Sequence, residues 1–221
     1  MKPETDEDLS ATEEDWRRFL AVESMVNHWE RPGWTPDREA YFWYLTFNAP
    51  PLTRLAERCQ QALRLPYLDP VPLNALHLTL PRIGWADETS SADLDRVSKL
   101  GIAALAEIRP FQLSVGPVAG SPGAVRFSVS PWKPLVALNT RLRTTTEAAG
   151  LTGCGDSEFR PHIGIAYCNQ VVPSVDLHRR IRPLRRLPAV STDINRVELV
   201  RLRREGRTYE WSTIRTFDLH G

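Results

Sequence analysis

The sequence has little cysteine, very little lysine and no long apolar run, and each shortage excludes something. Its three cysteines, Cys59, Cys154 and Cys168, are an odd number without CxxC spacing. That rules out a disulfide framework and a four-ligand zinc site, and leaves them as small packing residues. The first fifteen residues carry one lysine against seven acids, with no apolar stretch behind a basic start. Neither a signal peptide nor a membrane span fits such a start, so a soluble, cytoplasmic protein is expected. No Walker loop, no GxGxxG and no GxSxG occurs, which removes the commonest signatures of P-loop, dinucleotide and α/β-hydrolase chemistry.

What is present is an ordinary folded composition, 42% hydrophobic and 25% charged over 221 residues, enough for one large core or two small lobes. Charge is unevenly spread: residues 1–40 hold five Lys/Arg against eleven Asp/Glu, and residues 177–221 hold eleven Arg against five acids. The apolar spacing predicts a helix over 4–30, with Ser10 and Glu13 placed to form a capping box, stopped by the Pro-Gly stretch at 31–36. From Tyr41 a strand (YFWYLTF), a helix over 52–65 and a strand ending in His77-Leu-Thr-Leu80 follow one another. The same order recurs as AVRFSVS at 124–130, a helix over 134–149 and a strand over 162–168. A helix (91–108) and a strand (111–118) lie between the repeats, and an arginine-rich helix (175–187) and a hairpin (195–202 with 208–219) come after them. This order predicts an α+β fold in which two pseudo-symmetric lobes, with mostly antiparallel sheets, face each other around a central groove. The domain division expected is an acidic helical extension at 1–40 and a bilobal unit at 41–221.

Each repeat delivers a histidine at the start of its second strand, in ALHLTL and in RPHIGIAY, and 162 − 77 = 85 residues separate them. Side chains on a strand alternate faces, so His77 and Thr79 share one surface, about 7 Å apart along the strand. Two such strands can surround a phosphate, one neutral imidazole taking a proton from the attacking group and one charged imidazole giving a proton to the leaving oxygen. Hydroxyls beside them can donate to non-bridging oxygens. HLTL alone is more often structural than catalytic; the repeat is what raises it.

These two motifs in a duplicated chain resemble the two-histidine (2H) phosphoesterase superfamily, in particular its bacterial 2′-5′ RNA ligase-like and cyclic phosphodiesterase members, over roughly residues 41–219. The resemblance implies His77 and His162 as the catalytic pair, Thr79 of the HxTx motif as a phosphate ligand, and opening of a 2′,3′-cyclic phosphate or cleavage of a related phosphodiester without metal or cofactor. RNA ends or nucleotides would be the substrates. Gly164 departs from the family pattern, standing where a Thr or Ser is usual. A backbone amide or water then replaces the missing donor, or the pocket takes a bulkier group there, or turnover has decayed. A nucleotide- or RNA-binding module with little turnover, or a specialised small-molecule enzyme on the same fold, therefore stays open beside the phosphoesterase.

Around this pair stand weaker candidates. Arg160 can contact a phosphate or be a solvated strand end. Trp85, Trp132 and Tyr41, and more distantly Trp34 and Trp43, can stack a base or pack a core. The run His178 to Arg186 can follow an RNA backbone or be a solvated helix face. His28 and His220, outside the repeats, read as structural or surface residues. The oligomeric state is open, with a monomer expected.

Overall fold

The computed structural model describes residues 6–30, 35, 37–153 and 158–221. Trp34 and Cys154 lie outside them. The described residues begin with helix α1 (Asp6–Leu20), a short strand β1 (Ser24–Met25) and a 3-10 turn at His28–Glu30. Ser10 sits inside α1 rather than at its start, so the expected capping box is not the helix origin. The helix predicted over 4–30 is correspondingly shorter. The first repeat is strand β2 (Ala40–Thr46), helix α2 (Pro50–Ala62), a three-residue strand β3 (Leu68–Pro70) and strand β4 (His77–Trp85). Prolines at the first two positions of α2 fit the first turn, where their missing N–H groups cost no intrahelical bond.

Helix α3 (Ser91–Ala106) leads to β5 (Phe111–Ser121), which turns directly into β6 (Ala124–Ser130). Here the capping box is real: the Ser90 hydroxyl accepts from the Asp93 N–H, and the Asp93 carboxylate accepts from the Ser90 N–H. The second repeat continues as α4 (Trp132–Ala148) and β7 (His162–Cys168), followed by β8 (Val172–Pro173), α5 (Val175–Leu184) and β9 (Val190–Ile194). The hairpin β10 (Arg196–Glu205) and β11 (Thr208–Asp218) closes the chain, its turn made by Gly206 at φ 58°, a left-handed conformation that suits glycine.

Two antiparallel sheets carry the architecture, ordered β11-β10-β2-β4 and β3-β7-β6-β5-β9. The fold is thus the α+β, two-lobed arrangement expected from the repeat. Each repeat keeps its strands as antiparallel neighbours in one sheet, β2 with β4 and β6 with β7. Their helices cross over: α2 packs on β7 and β9 of the second sheet, and α4 on β4 of the first. Side chains pin the crossing, Gln60 of α2 donating to the Ile165 carbonyl of β7 (2.9 Å) and the Trp43 indole of β2 donating to Thr146 of α4 (3.1 Å). One continuous core runs through both lobes, including Trp43, Leu52, Ile83, Phe127, Leu142 and Ile163. Burial of such side chains gives ~1.5–3 kcal/mol each, which holds the lobes as one body. Cys59 and Cys168 are buried and unpaired, as packing residues should be.

α1 lies on β5 and β6. Its fit depends on Gly120, where an added Cβ would stand 2.5 Å from the Phe19 ring. This close seat lowers α1 far enough to place Asp15, 1% exposed, against β6. Among the described residues no helix is long and apolar enough to cross a membrane.

Candidate active site

The registers of the two strand pairs place four positions in corresponding frames. In the first sheet Thr46 faces His77 and Tyr44 faces Thr79; in the second Ser128 faces His162 and Arg126 faces Gly164. His77 and His162 consequently sit at the mouths of equivalent strands, and both line one groove of about 800 Å³, with Thr79, Arg160 and Trp85. That volume suits a nucleotide-sized ligand.

Both imidazoles are held by the same device. His77 Nδ1 donates to the carbonyl of Ala75 at 2.9 Å, and His162 Nδ1 donates to the carbonyl of Arg160 at 2.8 Å. A carbonyl only accepts, so each Nδ1 carries the proton and each Nε2 keeps its lone pair; at His162 the 2.8 Å contact to the carbonyl outweighs the longer 3.2 Å approach of Arg126 Nη1, which can only donate. Neither Nε2 has a hydrogen-bond partner among the described residues.

Their surroundings differ. The His77 ring lies flat on Tyr44, 4.4 Å between centroids and 7° between planes, with Trp211 edge-on at 5.1 Å. Tyr44 is hydrogen-bonded to Thr79, and burial raises its phenol well above the ordinary value of 10, so it stays an O–H. Burial is also what lowers His77, to about 4. His162 is lowered to about 4 by burial first and then by the Arg126 guanidinium, whose Nη1 lies 3.2 Å from Nδ1. Arg126 is itself held by Asp15 of α1 (3.3 Å), which also binds Arg160 (2.7 Å) and the Ser128 hydroxyl (2.8 Å).

Gly164 leaves space: the atoms nearest an added Cβ would be those of Tyr167, its hydroxyl at 3.6 Å and its ring at 3.8 Å, an ordinary contact. The glycine is therefore not demanded by crowding. Of the three proposed stacking residues, Trp85 lines the groove, with Arg38 3.8 Å and Arg82 4.4 Å from its ring centroid. Trp132 lies beneath Arg160, 5.0 Å away, and is not in the groove wall. Tyr41 is a correction. It belongs to the buried core on the opposite face of β2, because strand parity sends Tyr41 and Trp43 inward and Phe42 and Tyr44 toward the groove.

Sequence reading missed Tyr44, Arg126, Asp15 and His28. His28 is in the groove wall, stacked on Tyr167 (4.1 Å) and bonded to the Tyr209 hydroxyl (3.0 Å). Arg126 did leave a signal, as the one charge inside AVRFSVS, a strand whose every residue is buried. Arginines line the groove at positions 18, 82, 126, 143 and 160, against Glu158. None of the α5 arginines does; Arg185, just past its end, turns instead to Glu13 (3.0 Å) and over Trp16 (4.6 Å).

Two lobes that each bring one histidine into a shared, arginine-lined groove define a two-histidine phosphoesterase architecture. The model of the 2′-5′ RNA ligase superfamily matches residues 50–206, a span that includes both histidines, and the chain belongs to that family. Among solved structures, TT0787 of Thermus thermophilus is similar, with a TM-score of 0.62 at 22% identity, covering 83% of this chain and 98% of that one. E. coli LigT complexed with 3′-AMP gives a TM-score of 0.65 at 16% identity, covering 84% of this chain and 100% of that one. At such identities the likeness is one of fold. No curated protein sequence matches the chain. Family membership supports a phosphoesterase-type function.

Proposed function

We propose that the protein is a metal-independent phosphoesterase that opens 2′,3′-cyclic phosphates, or cleaves related phosphodiesters, of RNA ends or nucleotides. The observation that carries this reading is the matched pair of imidazoles, each with Nδ1 fixed to the carbonyl two residues upstream and Nε2 unengaged in one groove. Solved complexes of E. coli LigT with 3′-AMP, NADP+ and ATP support nucleotides as the ligand class. No cofactor takes part. A cytoplasmic monomer, with 1–40 as an acidic helical extension on the bilobal 41–221, completes the reading.

The unequal surroundings support a division of labour. A guanidinium beside His162 disfavours its charged form in the free protein, so His162 is the base: its Nε2 takes a proton from water as the water oxygen bonds to phosphorus. His77, flat on the electron-rich face of Tyr44, is better suited to hold a positive charge and is the acid. It protonates the ribose oxygen as the P–O bond breaks. The arriving phosphate anion supplies the charge that raises the imidazoles from their low resting values. Thr79 and Arg160 hold non-bridging oxygens, and Trp85 is the stacking surface.

The test is direct. Chelator-treated protein is incubated with 2′,3′-cyclic mononucleotides and with short RNAs bearing cyclic ends, and ring opening is followed by phosphorus NMR. Conversion to a phosphomonoester is expected. Tight nucleotide binding without conversion would move the assignment to a binding module, the alternative that Gly164 keeps in view.

A further inference from the structure

We propose that Arg126 and Arg160, tied together by Asp15 of α1, form a preorganised subsite for the non-bridging oxygens of a phosphate beside His162. This subsite replaces the hydroxyl absent at Gly164, and Asp15 is its positioning residue. The inference rests on the reading above for its catalytic consequence, but the anion site stands on geometry alone.

Charge is out of balance around this cluster. The Arg126 and Arg160 side chains are only 10% and 14% exposed, and among the described residues the buried carboxylate between them is a single one, Asp15, at 1%. Asp15 Oδ1 accepts from both guanidiniums and Oδ2 from Ser128, so both carboxylate oxygens are engaged. Among the described residues the other acid at Arg160 is Glu158, 62% exposed and 3.4 Å away, a weak surface partner. Two nearly buried cations therefore share one buried anion, leaving about one positive charge that a phosphate would neutralise. A buried charge without its partner is costly, which makes this cluster incomplete as it stands.

Donors are in surplus as well. Arg126 spends Nη2 on Asp15 and has Nη1 3.2 Å from His162 Nδ1, and Arg160 spends Nη2 on Asp15 and Nη1 on Glu158. The Nε of each has no hydrogen-bond partner among the described residues. The remaining N–H groups fit the planar, paired recognition that guanidinium gives to phosphate. Strand register aims them at the right place. Arg126 is the cross-strand neighbour of Gly164, and its guanidinium reaches the His162 ring, with Nη1 3.2 Å from Nδ1. Asp15 lies outside the residues matched by the family model, so α1 adds it to the site from beyond the matched span.

The experiment is calorimetric titration of the full chain with inorganic phosphate, in the wild type and in Arg126→Gln, Arg160→Gln and Asp15→Asn, with circular dichroism on each. Either arginine variant is expected to weaken phosphate at least tenfold. Arg160→Gln, at the less buried position, carries the test if Arg126→Gln does not fold. Phosphate affinity within twofold of wild type in the folded arginine variants would overturn the subsite. For Asp15→Asn, phosphate should bind as tightly as in wild type or more so. Meanwhile His162, faced by Arg126, Asp15, the Arg160 carbonyl and His77, should titrate lower by NMR, and kcat on a cyclic nucleotide should fall at least tenfold with KM little changed. A merely structural Asp15 would lower the melting temperature and leave the His162 titration in place, which would overturn its positioning role. Phosphate binding that depends on the arginines without any turnover would remove the enzyme reading and keep the subsite; turnover with arginine-independent phosphate binding would do the reverse.

Discussion

The two half-sites share a backbone and differ in how they offer donors. In the first, Thr79 and Tyr44 face each other across β4 and β2, and His77 sits in a neutral, aromatic box. In the second, Gly164 and Arg126 occupy the same frame across β7 and β6, and His162 sits beside a charged network anchored by Asp15. Matching strand geometry has thus fixed where the imidazoles stand, while the cross-strand neighbour fixes their electrostatics. The cross-strand pair beside His77 offers hydroxyls, and the one beside His162 offers a guanidinium.

The largest loss is expected from removing either ring. His77→Asn and His162→Asn should each lower kcat/KM on a cyclic nucleotide by ~10²–10⁴-fold in steady-state assays, and the double variant should lose much less than the product of the two. A large loss in one variant only would make the halves functionally unequal.

Stability gives a measure that needs no substrate. Both histidines fall from an ordinary 6.5 to about 4 in the folded protein. The unfolded chain therefore binds these protons first, so stability is full above pH 6.5 and declines as pH falls toward 4, by up to about 3 kcal/mol per histidine. Urea unfolding between pH 7 and 4 should show this slope, and His77→Asn and His162→Asn should each remove roughly half of it.

Smaller changes sharpen the donor contrast. Thr79→Val removes a hydroxyl facing the groove and should cost about 1–3 kcal/mol of transition-state stabilisation, read from kcat/KM. Gly164→Thr should fold normally, because its Cβ has room, and should change kcat/KM by less than about tenfold if Arg126 already serves that position. A gain well beyond tenfold would mean that the second lobe lacks a donor. The pH profiles should also separate: kcat/KM falls from an acid-side optimum as pH rises through neutrality, whereas the kcat profile lies at higher pH because bound phosphate favours imidazolium.

Much of this contrast was hidden in the sequence for a physical reason. The repeat of strand, helix and strand was legible from periodicity, and with it the fold and the two histidines. The groove face of β2 was not: YFWYLTF is aromatic or apolar at nearly every position, so hydrophobicity carries no parity, and only the pairing of Thr46 with His77 shows that Tyr44 rather than Tyr41 faces the site. Arg126 became meaningful only through its register with Gly164. Asp15 is 111 residues from Arg126 in sequence, and the contact depends on how closely α1 seats on Gly120. Crossed helices and the edge strand β9 likewise depend on tertiary packing that local propensity does not encode.

The central claim is that two differently built half-sites hold one phosphate between their imidazoles. NMR titration of both histidines in the wild-type chain, with and without inorganic phosphate, tests it most directly. Both rings are expected to titrate near 4 in the free protein, and saturating phosphate should raise both. Two rings titrating near 6.5 and indifferent to phosphate, or only one responding, would contradict it.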